Sequence, residues 1–270
     1  WKVLPEKNEH FLAKDYPTIG TVLSEAGIAN GAVGKWHIGV SSPSNGFEEG
    51  ALGGYLGLPI NYFAPFELPF LPKDVPDGTY LPPIVREAGV DLLERHQNEK
   101  FFLYFSTYLP HDEIKNEDGS TLDAPEAVVQ KYQRKIAAMQ AAGEDLQGHD
   151  NPVYAAMIEE TDRSVGAIIE KLNALGLRED TLVLFISDNG GLSKYTSNRP
   201  LRGEKCTLYE GGIRVPMIAS MPGKIKAGAV SHEPVSGMDF YPTFCTFLGV
   251  EPADPARVDG ADLTELLFSG

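Results

Sequence analysis

The 270-residue chain is poor in several things, and each scarcity excludes something. It has two cysteines, Cys206 and Cys245, and no Cys-x-x-Cys pair, so a zinc knuckle or a dithiol redox motif is excluded. Two cysteines permit at most one disulfide, and buried thiols are the ordinary alternative. No apolar run approaches the roughly 18 residues that a membrane-spanning helix needs. Basic residues are outnumbered: 23 Lys and Arg against 38 Asp and Glu give a net charge of −15. A duplex-binding surface needs the opposite balance, so nucleic acid is not an expected partner. No signal peptide is legible, but the chain opens at Trp1 without a methionine and runs to "LLFSG". It reads as a piece cut at both ends, and the missing leader therefore carries no information about compartment.

What is present is a sizeable apolar fraction, 42%, in a pattern that alternates helix-like and strand-like segments. That alternation predicts a sheet covered by helices. Pro17–Ala26 places Ile19, Val22, Leu23 and Ala26 on one helical face, with Gly27 as its stop. "ANGAVG" follows as a short strand. Residues 41–80 are rich in Gly, Pro and aromatics without a period, which predicts a long functional or mobile loop. Helices are predicted at Pro82–Gln97 and Pro125–Ala142, and most clearly at Pro152–Leu175. There Met157, Ile158, Val165, Ile168, Ile169 and Leu172 form the apolar stripe and Gly176 the stop. "FFLYFSTYLP", Phe101–Pro110, predicts a strand at the centre of a parallel sheet. "TLVLFISDNGG" and "RVPMIASMPG" are two further strands, and "VSGMDFYPTFCTFLGV" runs into a helix ending at Gly249.

Three of these strands exit into polar residues of related chemistry. "GAVG" leads to Lys35 and His37, "FFLYFSTYLP" to His111 and Asp112, and "TLVLFIS" to Asp188 and Asn189. In an open α/β sheet, ligands bind outside the carboxyl ends of strands, so these side chains should converge on one crevice. Each has an ordinary reading when taken alone: a structural histidine, an Asn-Gly turn, a solvated Lys205. Together they suggest an anion site. Asp188 and Asn189 offer hard oxygen donors that suit Ca²⁺ or Mg²⁺ rather than zinc or copper. Lys35, His37, His111 and Lys205 supply cations and donors, which an oxyanion needs as charge grows on its oxygens. A sulfate or phosphate ester is the expected substrate.

These residues also carry a resemblance. "GKWHIG" at 34–39 resembles the sulfatase signature GKWHLG, preceded by "TIGTVLSEAGIANGAV" and followed by "NGFEEG". "YLPHDEI", "LVLFISDNGG" and "LRGEKCTLYEGGIRVPMIASMPGKI" resemble three further family segments in the family's order. "VSGMDFYPTFCTFLGVEP" and "VDGADLTELLFSG" resemble the family's continuation toward the C terminus. The resemblance implies a three-layer α/β/α sandwich, alkaline-phosphatase-like, with a mostly parallel central sheet. Residues 1–270 would be part of its catalytic domain, without an N-terminal part and a C-terminal subdomain. It implies that Lys35 contacts the sulfate and holds the nucleophile, and that His37 orients the nucleophile and helps release sulfate. His111 and Lys205 would bind sulfate oxygens or protonate the leaving alcohol. Asp188 and Asn189 would be two Ca²⁺ ligands, with Mg²⁺ fitting less well.

The family nucleophile is a formylglycine made within a C/S-x-P-S/A-R motif, and no such motif occurs here. "SSPSN", Ser41–Asn45, imitates the serine form, but has Asn45 in place of arginine and follows the GKWH segment instead of preceding it. The formylglycine and the remaining metal ligands are expected upstream of Trp1, and the chain alone is expected to be inactive. The leading expectation is a Ca²⁺-dependent sulfuric ester hydrolase acting on an aryl or carbohydrate sulfate, exported to the periplasm or secreted. A phosphodiesterase or phosphonate hydrolase of the same superfamily, and a non-catalytic binder of sulfated glycans, stay open. Specificity is expected from residues 41–80 and 112–125.

Overall fold

The computed structural model describes residues 11–13, 16–114 and 122–269; part of the expected specificity stretch 112–125 therefore lies outside the described residues. Helix α1, Ile19–Glu25, starts where the Thr18 hydroxyl accepts from the Thr21 amide, and buries Val22 and Leu23. Strand β1, Ala29–Gly34, is buried at all six residues. It pairs in parallel with β2, Glu49–Ala51, on one side and with β3, Phe101–Ser106, on the other. The small side chains of "ANGAVG" explain its place: helices can approach both faces of so slim a strand, and Leu92 of α2, Leu81–Arg95, closes directly over Gly31.

The alternation of β3 then separates two layers. Phe102 points to one face and meets Phe244 of α6, Phe240–Leu248, with ring centroids 5.1 Å apart. Leu103 and Phe105 point to the other, where Phe105 packs over Gly89 of α2. Behind α2 stands α4, Pro152–Ala174, which also packs on α3, Glu126–Ala141. Helices thus cover both sides of the sheet, and the α/β class expected from the sequence holds. The ends of α1, α2, α3 and α4 fall within two residues of the sequence reading. Among the described residues no helix is long and apolar enough to cross a membrane.

Four details differ from the sequence reading. The central strand is β1, not Phe101–Pro110. β3 stops at Ser106, has one partner among the described strands, and leaves Tyr104 45% exposed. Uniform hydrophobicity marked β3 as a sheet strand, but its aromatics serve two different helical layers. Second, β4, Val183–Ile186, does not extend the parallel ladder. It pairs antiparallel with β5, Met217–Ser220, because the chain returns through α5, Glu210–Ile213, in the reverse direction. Third, Ile158 is exposed: the buried line of α4 runs through Met157, Glu160, Ser164 and Leu172, with Glu160 ion-paired to Arg163.

Fourth, residues 41–80 are not a free loop. Phe47, Tyr62, Phe66, Leu68 and Leu71 are buried, and Phe63 stacks on Tyr80 at 4.8 Å. The stretch lacks a period because, apart from β2 and one 3-10 turn, no regular secondary structure spaces its aromatics. The short helix α7, Thr264–Phe268, closes the described chain with Phe268 stacked on Phe247.

Candidate active site

The carboxyl end of β1 turns sharply into the GKWH segment. Gly34 has φ +86° and lies against the Ser106 carbonyl, where a β-carbon would stand 2.0 Å from the oxygen. Only glycine fits there. The Lys35 amide then donates to the same Ser106 carbonyl at 2.8 Å, so the exits of β1 and β3 are tied together. His37 adopts φ +73°, a conformation uncommon for a side-chain-bearing residue, and its amide donates to the Gly54 carbonyl at 2.9 Å. Between them the Trp36 indole points away and donates to Asn45 Oδ1 at 3.1 Å. Lys35 and His37 are thereby directed to the crevice while Trp36 anchors the turn.

The Lys35 ammonium reaches across to Asp188, beyond the end of β4, with Nζ–Oδ2 2.9 Å. Asn189 donates from its amide nitrogen to the other oxygen, Oδ1. Partial burial pushes the Asp188 carboxyl upward, but the Lys35 hydrogen bond and the charges of Lys35 and Lys205 prevail and hold it below the usual range. Lys205, whose charge also acts on Asp188, has its Nζ 3.0 Å from His111 Nε2. An ammonium can only donate, so Nε2 accepts. The proton of a neutral His111 then sits on Nδ1, which faces Asp112 Oδ1 at 2.8 Å. The Tyr195 hydroxyl approaches the second Asp112 oxygen at 3.4 Å.

His37 lies within the electrostatic reach of Lys35, His111, Asp188 and Lys205. Burial lowers its pKa below 6.5, and so do Lys35, His111 and Lys205; Asp188 alone opposes them. The imidazole is therefore neutral near neutral pH and available as a base. Two lysines and two histidines thus gather with two carboxylates, Asp188 and Asp112, so that the cluster is locally balanced in a chain of net charge −15.

Lys35, His37, His111, Asp188 and Lys205 come together at one rim, and Asn189 joins them through Asp188. Asp112 belongs to the same constellation as the acceptor for His111. The sequence placed it with His111 among the strand-exit residues expected to converge, but assigned it no role. The donor chemistry of Asp188 and Asn189 suits a hard cation. Two ligands fall short of the six to eight that calcium takes, and no group of three or more His, Cys, Asp or Glu fit to hold a metal occurs among the described residues. "SSPSN" plays a structural part: Pro43–Asn45 forms a 3-10 turn, and buried Asn45 accepts from Trp36 and, through its carbonyl, from Thr18 at 2.6 Å. Cys245 is buried and Cys206 exposed, and both are free thiols, so the ordinary alternative to a disulfide describes Cys245 but not the exposed Cys206.

Comparison with known proteins bears on the whole of this arrangement. The sulfatase family model matches residues 2–250. The chain is 31% identical over 261 residues to the N-acetylgalactosamine-6-sulfatase of Rattus norvegicus, covering 92% of this chain and 48% of that protein. It is 28% identical over 306 residues to the arylsulfatase A of Bos taurus, covering 98% of this chain and 54% of that protein. Among solved structures it is similar to Ps i-CgsB in complex with k-i-k-neocarrahexaose, with TM-score 0.73 and 28% identity over 96% of this chain and 59% of that one. The chain spans about half the length of the curated relatives it matches. On the extent of the family match, the strand-end motifs and the α/β fold, the chain belongs to the sulfatase family.

Proposed function

We propose that this chain carries the anion-binding half of a sulfuric ester hydrolase active site, acting on an aryl or carbohydrate sulfate. The observation that carries the reading is the pair of contacts, Lys35 on Asp188 at 2.9 Å and Lys205 on His111 at 3.0 Å, all four groups acting electrostatically on His37. The carbohydrate preference draws on the relatives, one named for a galactosamine sulfate and one solved with a carrageenan-type oligosaccharide.

The ester R–O–SO₃⁻ binds with its oxygens toward the Lys35 and Lys205 ammonium groups. His37, kept neutral by its cationic neighbours, takes the proton of the attacking oxygen. The attacking oxygen forms its bond to sulfur as the bond from sulfur to the ester oxygen breaks, and the ester oxygen leaves with that electron pair. Lys205, one of whose ammonium protons is held by His111, delivers another to the departing alcohol, while Asp112 keeps the His111 ring in the tautomer that can accept from Lys205. Lys35 keeps Asp188 ionised and stays on the sulfate through the transition state, where charge on its oxygens is greatest.

The remaining parts come from outside these residues. A formylglycine hydrate would supply the nucleophilic oxygen. Ca²⁺ would be held in part by Asp188 and the Asn189 carbonyl oxygen, with its other ligands supplied elsewhere, and would add positive charge at the sulfate oxygens. Without them the 270 residues alone should bind sulfate esters but not turn them over. The test is release of inorganic sulfate from 4-nitrophenyl sulfate and from a sulfated oligosaccharide by the natural full-length protein, before and after chelation and Ca²⁺ add-back. Turnover that is lost with the chelator and restored by Ca²⁺ is the expected result. Turnover indifferent to the ion removes calcium from the reading, and no sulfate release from either substrate overturns it.

A further inference from the structure

We infer that Tyr62 and Glu113 form a buried clamp that positions His111, an inference resting on the sulfatase reading only for its catalytic consequence. Tyr62 lies in the 41–80 stretch and is wholly buried. Every polar group it has is used. Its single hydroxyl proton is shared between the backbone carbonyls of Tyr108 and His111, each oxygen 2.9 Å away. Its amide donates to Glu113 Oε1 at 2.6 Å, and its carbonyl accepts from the Leu81 amide at 2.9 Å. One side chain therefore grips the turn that presents His111 both before and at the histidine, and its own backbone is gripped by the carboxylate two residues beyond.

A further strut lies alongside: the Ile114 amide donates to the Pro59 carbonyl at 3.2 Å. Residues 59–62 and 108–114 are thus laced together over their full length. The cost of the arrangement argues that it does more than pack. Glu113 is 6% exposed, and burial pushes its carboxyl up to about 7. An apolar residue would fill that space without a desolvation penalty. What the carboxylate provides instead is a fixed acceptor for the Tyr62 amide, and through Tyr62 a fixed His111 backbone. The imidazole lies between Lys205 and Asp112, at 3.0 and 2.8 Å, so a displacement of about 1 Å would break both contacts. Tyr62 and Glu113 are positioning residues, since each acts through the His111 turn.

The experiment uses the natural full-length protein with ¹⁵N-labelled histidine, and the variants Tyr62→Phe, Glu113→Gln and Glu113→Ala. In wild type the His111 ring should show the Nδ1–H tautomer. Tyr62→Phe and Glu113→Ala should shift it toward a mixture of tautomers, and should lower kcat on 4-nitrophenyl sulfate about tenfold with KM within about twofold. Glu113→Gln keeps an acceptor for the Tyr62 amide and should stay near wild type in both readouts. If Tyr62→Phe does not fold, the contrast between Glu113→Gln and Glu113→Ala decides. Folded variants with an unaltered His111 signal and unaltered kcat overturn the clamp. A wild-type protein that hydrolyses no sulfate ester would overturn the functional reading instead, and the tautomer signal would still decide the clamp.

Discussion

The His37 ring lies directly over Gly57: a β-carbon at residue 57 would stand 2.3 Å from Nδ1 and 2.6 Å from Cε1. The ring is the far end of a side chain at an exposed position, so it can move aside at little cost to the fold. It cannot do so and keep its place in the crevice. Gly57→Ala should therefore lower kcat/KM for a sulfate ester about 10- to 100-fold while shifting the melting temperature by no more than about 3 °C. Steady-state kinetics with calorimetry on the same sample checks this. Unaltered turnover would show that the position of the His37 ring does not matter.

His37 also fixes the acid limb of the pH profile. Its pKa is depressed below 6.5 by burial and by Lys35, His111 and Lys205. The base form is lost only as pH falls through that lowered value. The acid limb of kcat/KM should therefore have its midpoint below 6.5, and the limb should disappear in His37→Gln at a much lower rate. A limb centred above 6.5 would contradict the assignment.

Away from the site, His96 at the end of α2 bonds Glu99 at 2.7 Å and Glu49 at 2.5 Å, and Arg95 joins Glu49. Burial lowers the His96 pKa, but the two carboxylates outweigh it and raise it above 6.5. Its contribution to stability is therefore complete below the unfolded value of 6.5 and is lost as pH rises through the higher folded value. His96→Gln should cost about 1 kcal/mol at about pH 5.5 and less at about pH 9, read from urea unfolding. A cost independent of pH would show that the pair carries no charge-dependent stability.

The Trp36–Asn45 bond ties the turn between Lys35 and His37 to the 3-10 turn at Pro43–Asn45. Asn45→Ala leaves the indole N–H without its acceptor and should destabilise by about 1–3 kcal/mol. Chemical denaturation measures it. A loss under about 0.5 kcal/mol would mean that water replaces Asn45 without penalty.

The rim of the sheet was legible in the sequence because strand exits carry ligands by a general geometric rule. That rule joined Lys35 to Asp188 across 153 positions, where no local pattern could. Helix positions were legible from apolar spacing, Pro at α4's start and Gly after its end. The aromatic core of residues 41–80 was not, since aromatics without regular secondary structure to space them leave no period. Nor was the clamp. A tyrosine whose hydroxyl bonds only backbone, and a glutamate buried beside it, look in sequence like a loop aromatic and a surface acid. The fate of "SSPSN" makes the converse point: a short motif matched in letters, but the buried Asn45 serves the Trp36 turn.

The most direct measurement compares kcat/KM on 4-nitrophenyl sulfate and on bis(4-nitrophenyl) phosphate for the natural full-length protein and its Lys35→Ala and Lys205→Ala variants. A sulfate-anion pocket predicts turnover of the sulfate well above the phosphodiester, with each lysine removal lowering it about 100-fold or more. Preferred turnover of the phosphodiester, or sulfate turnover that survives the loss of both lysines, would contradict it.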